Sequence, residues 1–215
     1  MRDNILIDKS MDRNCYLKDP CRASSLPYWK STDISIPKDL MILRDDAFEE
    51  RAPGYEDTPF FKLIHRLNPV DQPFLPWGFD IVPADTELLC KHISVCYRSE
   101  RVTAEELEQY KCHRTYHPDL WIAVADTFTG EIAASGIAEL DGNIGEGILE
   151  WIEVSPEFRR RGLGKFLVNE LLFRMKDMAD FVTVSGRLHD PSNPLALYES
   201  CGFNDCVIWH ILQKK

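Results

Sequence analysis

A loop of three arginines and two glycines, RRRGLG from Arg159 to Gly164, joins two strongly patterned runs. Before it lies GEGILEWIEV, a β-rich run ending at Val154. After it comes LGKFLVNELLFRM, with apolar residues at helical spacing. A strand, a cationic glycine loop and a helix start in that order outline an anion-binding turn. The first N–H groups of a helix have no acceptor within it, and they mark the positive end of its dipole. Glycine lets an anion approach the backbone without a β-carbon in the way.

The elements around this loop alternate regularly from Gly78 onward. FDIV at 79–82 reads as a short strand, and 85–97 as a helix with Leu88, Leu89, His92, Ile93 and Cys96 on one face and Asp85 as its N-cap. Thr103 and Glu106 form a capping box that starts a second helix. LWIAVAD at 120–126, EIAASGIAEL at 131–140 and GILEWIEV at 147–154, separated by turn residues, predict an antiparallel meander. The helix after Gly164 and the strand FVTVSGRL at 181–188 predict a right-handed crossover to a parallel neighbour. Asn193, Pro194 and Gly202 punctuate a two-turn helix, and VIWHILQ at 207–213 supplies a last strand.

Residues 1–77 differ. They hold eight of the thirteen prolines, a density that breaks helices and interior strands. Short apolar runs survive at 5–7, 40–43 and 60–64, and Tyr28, Trp29, Phe60, Phe61, Phe74 and Trp77 are too many large apolar groups for a disordered tail. The expectation is an extension of loops and short strands packed on a main domain at 78–215.

A net charge of -10 argues against a general nucleic-acid binder. No apolar stretch is long enough to span a membrane, and the polar N-terminus is unlike a signal peptide. Seven cysteines without a C-x-x-C pair fit reduced thiols in a cytoplasm. Cys112, His113 and His117 resemble part of a metal site but have no fourth ligand at suitable spacing, so no metal is expected. Cys201 reads as a packing residue.

The segment LEWIEVSPEFRRRGLG resembles the acetyl-CoA motif of the GCN5-related N-acetyltransferases. NPLALYESCGF resembles their later signature on Asn193, Ala196, Tyr198, Gly202 and Phe203. Its tyrosine stands two residues after the alanine rather than four, but keeps its place four residues before the glycine. The resemblance covers roughly residues 78–213. It implies an α+β fold: a mixed, mostly antiparallel central sheet with helices on both faces, plus the proline-rich extension.

The resemblance implies acetyl transfer from acetyl-CoA to a primary amine of a small molecule or peptide. The backbone of Arg159, Arg160, Arg161, Gly162, Leu163 and Gly164 would hold the pyrophosphate. The stretch Ile152, Glu153 and Val154 would bond the pantetheine arm, with an N–H near Ile152 polarising the thioester carbonyl. Asn193 would cap its helix and contact the cofactor. Tyr198 would be the general acid for the leaving thiolate and would also lie against the cofactor.

Two strand carboxylates compete for the base. Alternation puts Glu150 and Glu153 on opposite faces unless a bulge intervenes, and Glu150 shares parity with Ile152 and Val154. Glu150 is the candidate, with His189 and Asp190 behind it. The alternative is an acyl-CoA sensor that binds without turnover. A homodimer is expected on frequency alone.

Overall fold

The computed structural model describes residues 11–33, 36–48, 54–97 and 102–215. The run at 5–7 lies outside them. The chain groups into two compact units, Met1–His65 with Thr183–Lys215, and Arg66–Val182.

The first unit begins with three short helices, α1 (Arg13–Lys18), α2 (Pro20–Ala23) and α3 (Tyr28–Asp33). The sequence pattern gave this stretch loops and short strands. Helices form because the punctuation sits at their starts. Asp12 accepts from the Cys15 N–H at 2.8 Å, Asp19 accepts from the Arg22 N–H at 3.0 Å, and Pro20 occupies a first-turn position whose N–H is not needed.

Two strands follow, β1 (Leu40–Arg44) and the eleven-residue β2 (Tyr55–His65). Both pair antiparallel with β8 (Asn204–Lys214), from Leu40 opposite Gln213 to Arg44 opposite Trp209, and from Tyr55 opposite Lys214 toward Ile64 opposite Asn204. The order in this unit is β1-β8-β2-β7, where β7 (Phe181–Arg187) runs out of the second unit into the first. Pro59 is tolerated inside β2 because its carbonyl accepts from Leu188, just past the end of β7. The missing N–H therefore falls where the neighbouring strand has run out.

Lys62 of β2 ties the N-terminal helices down. Its side chain is 1% exposed. The ammonium donates to the Tyr16 hydroxyl at 3.1 Å and to the carbonyls of Pro20, Ser24 and Leu26 at 3.2, 3.0 and 2.8 Å. On the neighbouring strand Trp209 Nε1 donates to the Cys21 carbonyl at 2.9 Å. A buried charge is sustained only by such a shell of oxygens.

The second unit is the expected meander: β3 (Phe79–Val82), β4 (Trp121–Asp126), β5 (Ile132–Asp141) and β6 (Glu146–Val154), each antiparallel to the next. On one face α4 (Thr86–Cys96) and α5 (Ala104–Tyr110) bury Leu89, Ile93 and Leu107 against Trp121 and Ile137. Both caps form as the sequence predicts: Asp85 accepts from Leu88, and Thr103 with Glu106 makes the capping box. On the other face α6 (Leu163–Met175) packs on β5 and β6, with Leu171 against Gly136. No helix among the described residues is long and apolar enough to cross a membrane.

Candidate functional site

The candidate anion loop is built within the second unit. After β6 the chain makes a 3₁₀ turn, Pro156–Phe158, and Arg160 and Gly162 then adopt left-handed backbone angles, φ 61° and 85°. Gly162 is the N-cap of α6 and no side chain caps the helix. The first bond within the helix runs from the Phe166 N–H to the Gly162 carbonyl at 2.9 Å. The amides ahead of Phe166 therefore project from the helix start. Glycine is needed at 162 for its positive φ, since the space around its α-carbon is open: a β-carbon would meet only Pro76, at 3.6 Å.

The arginines are exposed. Arg159 Nε donates to the Val154 carbonyl at 3.2 Å, folding the loop back on β6. The Arg161 guanidinium lies over the Phe158 ring, 5.2 Å from its centroid. Leu163 is buried and anchors the first turn of α6.

A buried polar chain fixes the exit from β6. His92 of α4 is within 2.7 Å of Ser135 Oγ and 2.9 Å of Ser155 Oγ, and Ser155 donates to the Ile132 carbonyl at 3.0 Å. Burial depresses the imidazole from 6.5 to about 4, so it bridges the two serines in its neutral form. Burial, reinforced by the Glu153 carboxylate, pushes the adjacent Cys96 thiol up to about 12. Neither serine stood out in the sequence, and His92 appeared only as one position on a helix face.

The strand carboxylates fall as a bulge dictates. Ile137 pairs with Trp151 and Ala138 with Leu149, so the register steps over Glu150. Ser135 opposite Glu153 and Ile137 opposite Trp151 place Glu153 and Trp151 on the face covered by α4 and α5. Glu153 is buried there. Ile152 approaches Gly136 on the α6 face and is half-buried, as is Val154. Glu150 is half-buried at the irregularity itself, so simple alternation no longer assigns it a side.

The second motif lies in the first unit. In α7 (Pro194–Ser200), Asn193 is the N-cap with φ 53° and accepts from the Ala196 N–H at 3.5 Å. Tyr198 is 7% exposed. Its ring lies 6.1 Å from Phe61 and 5.7 Å from Phe203, centroid to centroid, and its carbonyl accepts from Phe203 at 3.2 Å. Phe61, on β2, was not linked to this tyrosine by any local pattern. His65 stacks obliquely on Phe203 at 5.3 Å, and burial lowers its pKa. The runners-up for the base, His189 and Asp190, are exposed and half-buried respectively, just after β7.

His113 stacks on Tyr110 at 5.5 Å and approaches Glu139 at 3.8 Å, while His117 lies 4.0 Å from Asp119. Among the described residues no three His, Cys, Asp or Glu side chains are grouped to hold a metal ion.

The profile of the Acetyltransferase (GNAT) family matches residues 86–203, more than half of the chain. The chain belongs to this family, whose general chemistry is acyl transfer. None of the curated proteins matches.

Among solved structures, the GCN5-related N-acetyltransferase from Sphaerobacter thermophilus shares 18% identity at a TM-score of 0.62, over 74% of this chain and 52% of that one. A tandem GNAT protein from the clavulanic acid biosynthesis pathway shares 16% at 0.55, over 72% and 52%. The NatC complex bound to Gag peptide and CoA shares 17% at 0.52, over 64% and 99%. The chain thus spans about half the length of the first two. These likenesses show the fold: α+β, with eight strands among the described residues, of mixed, mostly antiparallel pairing, and flanking helices.

Proposed function

We propose that the protein transfers an acetyl group from acetyl-CoA to a primary amine of a small molecule or peptide, by direct attack in a ternary complex. The observation that carries the reading is the uncapped start of α6, entered through a left-handed glycine and flanked by three exposed arginines. Converging amides at a helix start suit a pyrophosphate.

In this reading Arg159, Arg160, Arg161, Gly162, Leu163 and Gly164 hold the pyrophosphate, mainly through backbone N–H groups. Ile152, Glu153 and Val154 bond the pantetheine arm, and Asn193 contacts the cofactor besides capping α7. When bound, the cofactor supplies an activated thioester. An N–H near Ile152 polarises the carbonyl that the amine attacks. Glu150 takes the proton from the amine, directly or through water, and the bulge at this position supports a role apart from strand pairing. Tyr198 protonates the leaving thiolate. The chain works in the cytoplasm, as a homodimer. Residues 78–215 form the transferase domain, and residues 1–77 are its N-terminal extension.

Incubation with acetyl-CoA and a broad amine panel should release free CoA thiol, and Tyr198→Phe should cut that rate at least tenfold. A chain that binds acetyl-CoA tightly and turns over no amine would be the sensor instead. An unaffected Tyr198→Phe variant would remove the tyrosine from the chemistry.

A further inference from the structure

The segment from Arg66 to Gly78 has no helix or strand and contains Pro69, Pro73 and Pro76. It presents two large apolar side chains to solvent, Phe74 at 91% and Trp77 at 88% exposure. The Trp77 ring lies 5.7 Å from that of Phe128, itself 75% exposed, in the turn between β4 and β5.

The pair is held from both sides. Thr127 donates its N–H to the Gly78 carbonyl at 2.9 Å, and Asp126 accepts from the Phe128 and Thr129 N–H groups at 2.9 and 3.0 Å. These amide bonds hold the Asp126 carboxyl below the usual range, so it stays an acceptor at neutral pH. The same segment touches the anion loop, because Pro76 is the neighbour that a β-carbon on Gly162 would meet. Next to it Phe158 carries Arg161 on its face and stands edge-on to Phe79 at 6.0 Å.

Two flat rings so exposed and in mutual contact are costly to leave in water without a use. Their neighbourhood says which use. Beside an anion-binding loop, the apolar group that comes attached to a pyrophosphate is a nucleotide base, and a base binds flat aromatic faces.

We propose that Trp77 and Phe128 form the stacking platform for the purine base of the acyl-CoA whose pyrophosphate the Arg159–Gly164 loop holds. This inference rests on the acyl-CoA reading above. It assigns donor affinity to a proline-rich segment outside the matched family region, residues 86–203.

The test measures dissociation constants of the full chain for CoA, ADP, 4′-phosphopantetheine and inorganic pyrophosphate. Trp77→Ala should weaken CoA and ADP about tenfold, the scale of one base–aromatic stack. It should leave 4′-phosphopantetheine and pyrophosphate unchanged. Phe128→Ala should act in the same direction and more weakly. Trp77→Phe should keep most of the affinity, while the indole quenching caused by ADP in the natural chain disappears.

Equal losses for all four probes, or no loss for any, overturn the platform. A concentration-dependent dimer abolished by Trp77→Ala at unchanged CoA affinity also overturns it, and gives the face to a second copy. A natural chain that binds neither CoA nor pyrophosphate fails at an earlier step, the acyl-CoA reading itself.

Discussion

The loop at Gly162 and the helix of Tyr198 carry the two segments whose sequences resemble the acetyltransferase motifs, yet they are held in different ways. Around the loop most partners are sequence neighbours: Arg159 bonds Val154, Phe166 bonds Gly162, and Arg161 covers Phe158. Around Tyr198 the ring is shared between Phe203, five residues on, and Phe61, on a strand from the N-terminal part of the chain. That strand is fastened by Lys62 to helices that begin at Arg13. A locally closed loop tolerates change elsewhere, whereas the tyrosine's packing depends on everything that holds β2 in place.

The largest expected effect tests that dependence. Lys62→Met removes an ammonium and leaves a hydroxyl and three carbonyls without their donor. It should cost about 3–5 kcal/mol in urea unfolding, the scale for breaking a buried charged network. A loss within experimental error would mean that the N-terminal helices do little to hold β2.

The next effect probes a long-range support of the strand exit that leads into the loop. His92 refuses a proton between about 4 and 6.5 in the folded chain, while the unfolded chain accepts it. Its contribution is therefore complete above about pH 6.5 and is lost as the pH falls toward 4. Between pH 7 and pH 5 the natural chain should lose on the order of 2 kcal/mol more than His92→Gln. Parallel pH profiles for the two proteins would count against the neutral serine bridge.

Smaller effects follow at the loop itself. Gly162→Ala meets no steric block but must hold φ near 85°, so unfolding should show a loss of roughly 1 kcal/mol. Acyl-CoA binding should weaken with it, and an unchanged affinity would remove Gly162 from the cradle. Arg159→Gln should raise the Michaelis constant for acyl-CoA severalfold, with little change in turnover and a flatter salt dependence. Should turnover fall instead, the loop would belong to the chemistry rather than to affinity.

The meander, the capping box, the crossover helix and the helix punctuated by Asn193, Pro194 and Gly202 were legible because each rests on short-range periodicity or on a single stop or start residue. The loop's left-handed entry into α6 was legible for the same reason, because its glycine sits at the helix start. Less visible was the N-terminal part. Its prolines read as helix breakers, but Pro20 sits at a helix start and Pro59 opposite a strand that has ended. The bulge at Glu150 was also beyond reach, because a strand's count of two is broken only by its partner's register.

The sequence alone therefore determined the class of the protein and the strand–loop–helix order around Gly162, since both follow from spacings of a few residues. Only the tertiary structure decided which distant residues surround Tyr198, that His92 stands neutral between two serines, and that Trp77 and Phe128 meet beside the loop. Those are contacts between residues far apart in the chain. They form only once strand pairing has brought their backbones together, and no local pattern records which pairs will meet.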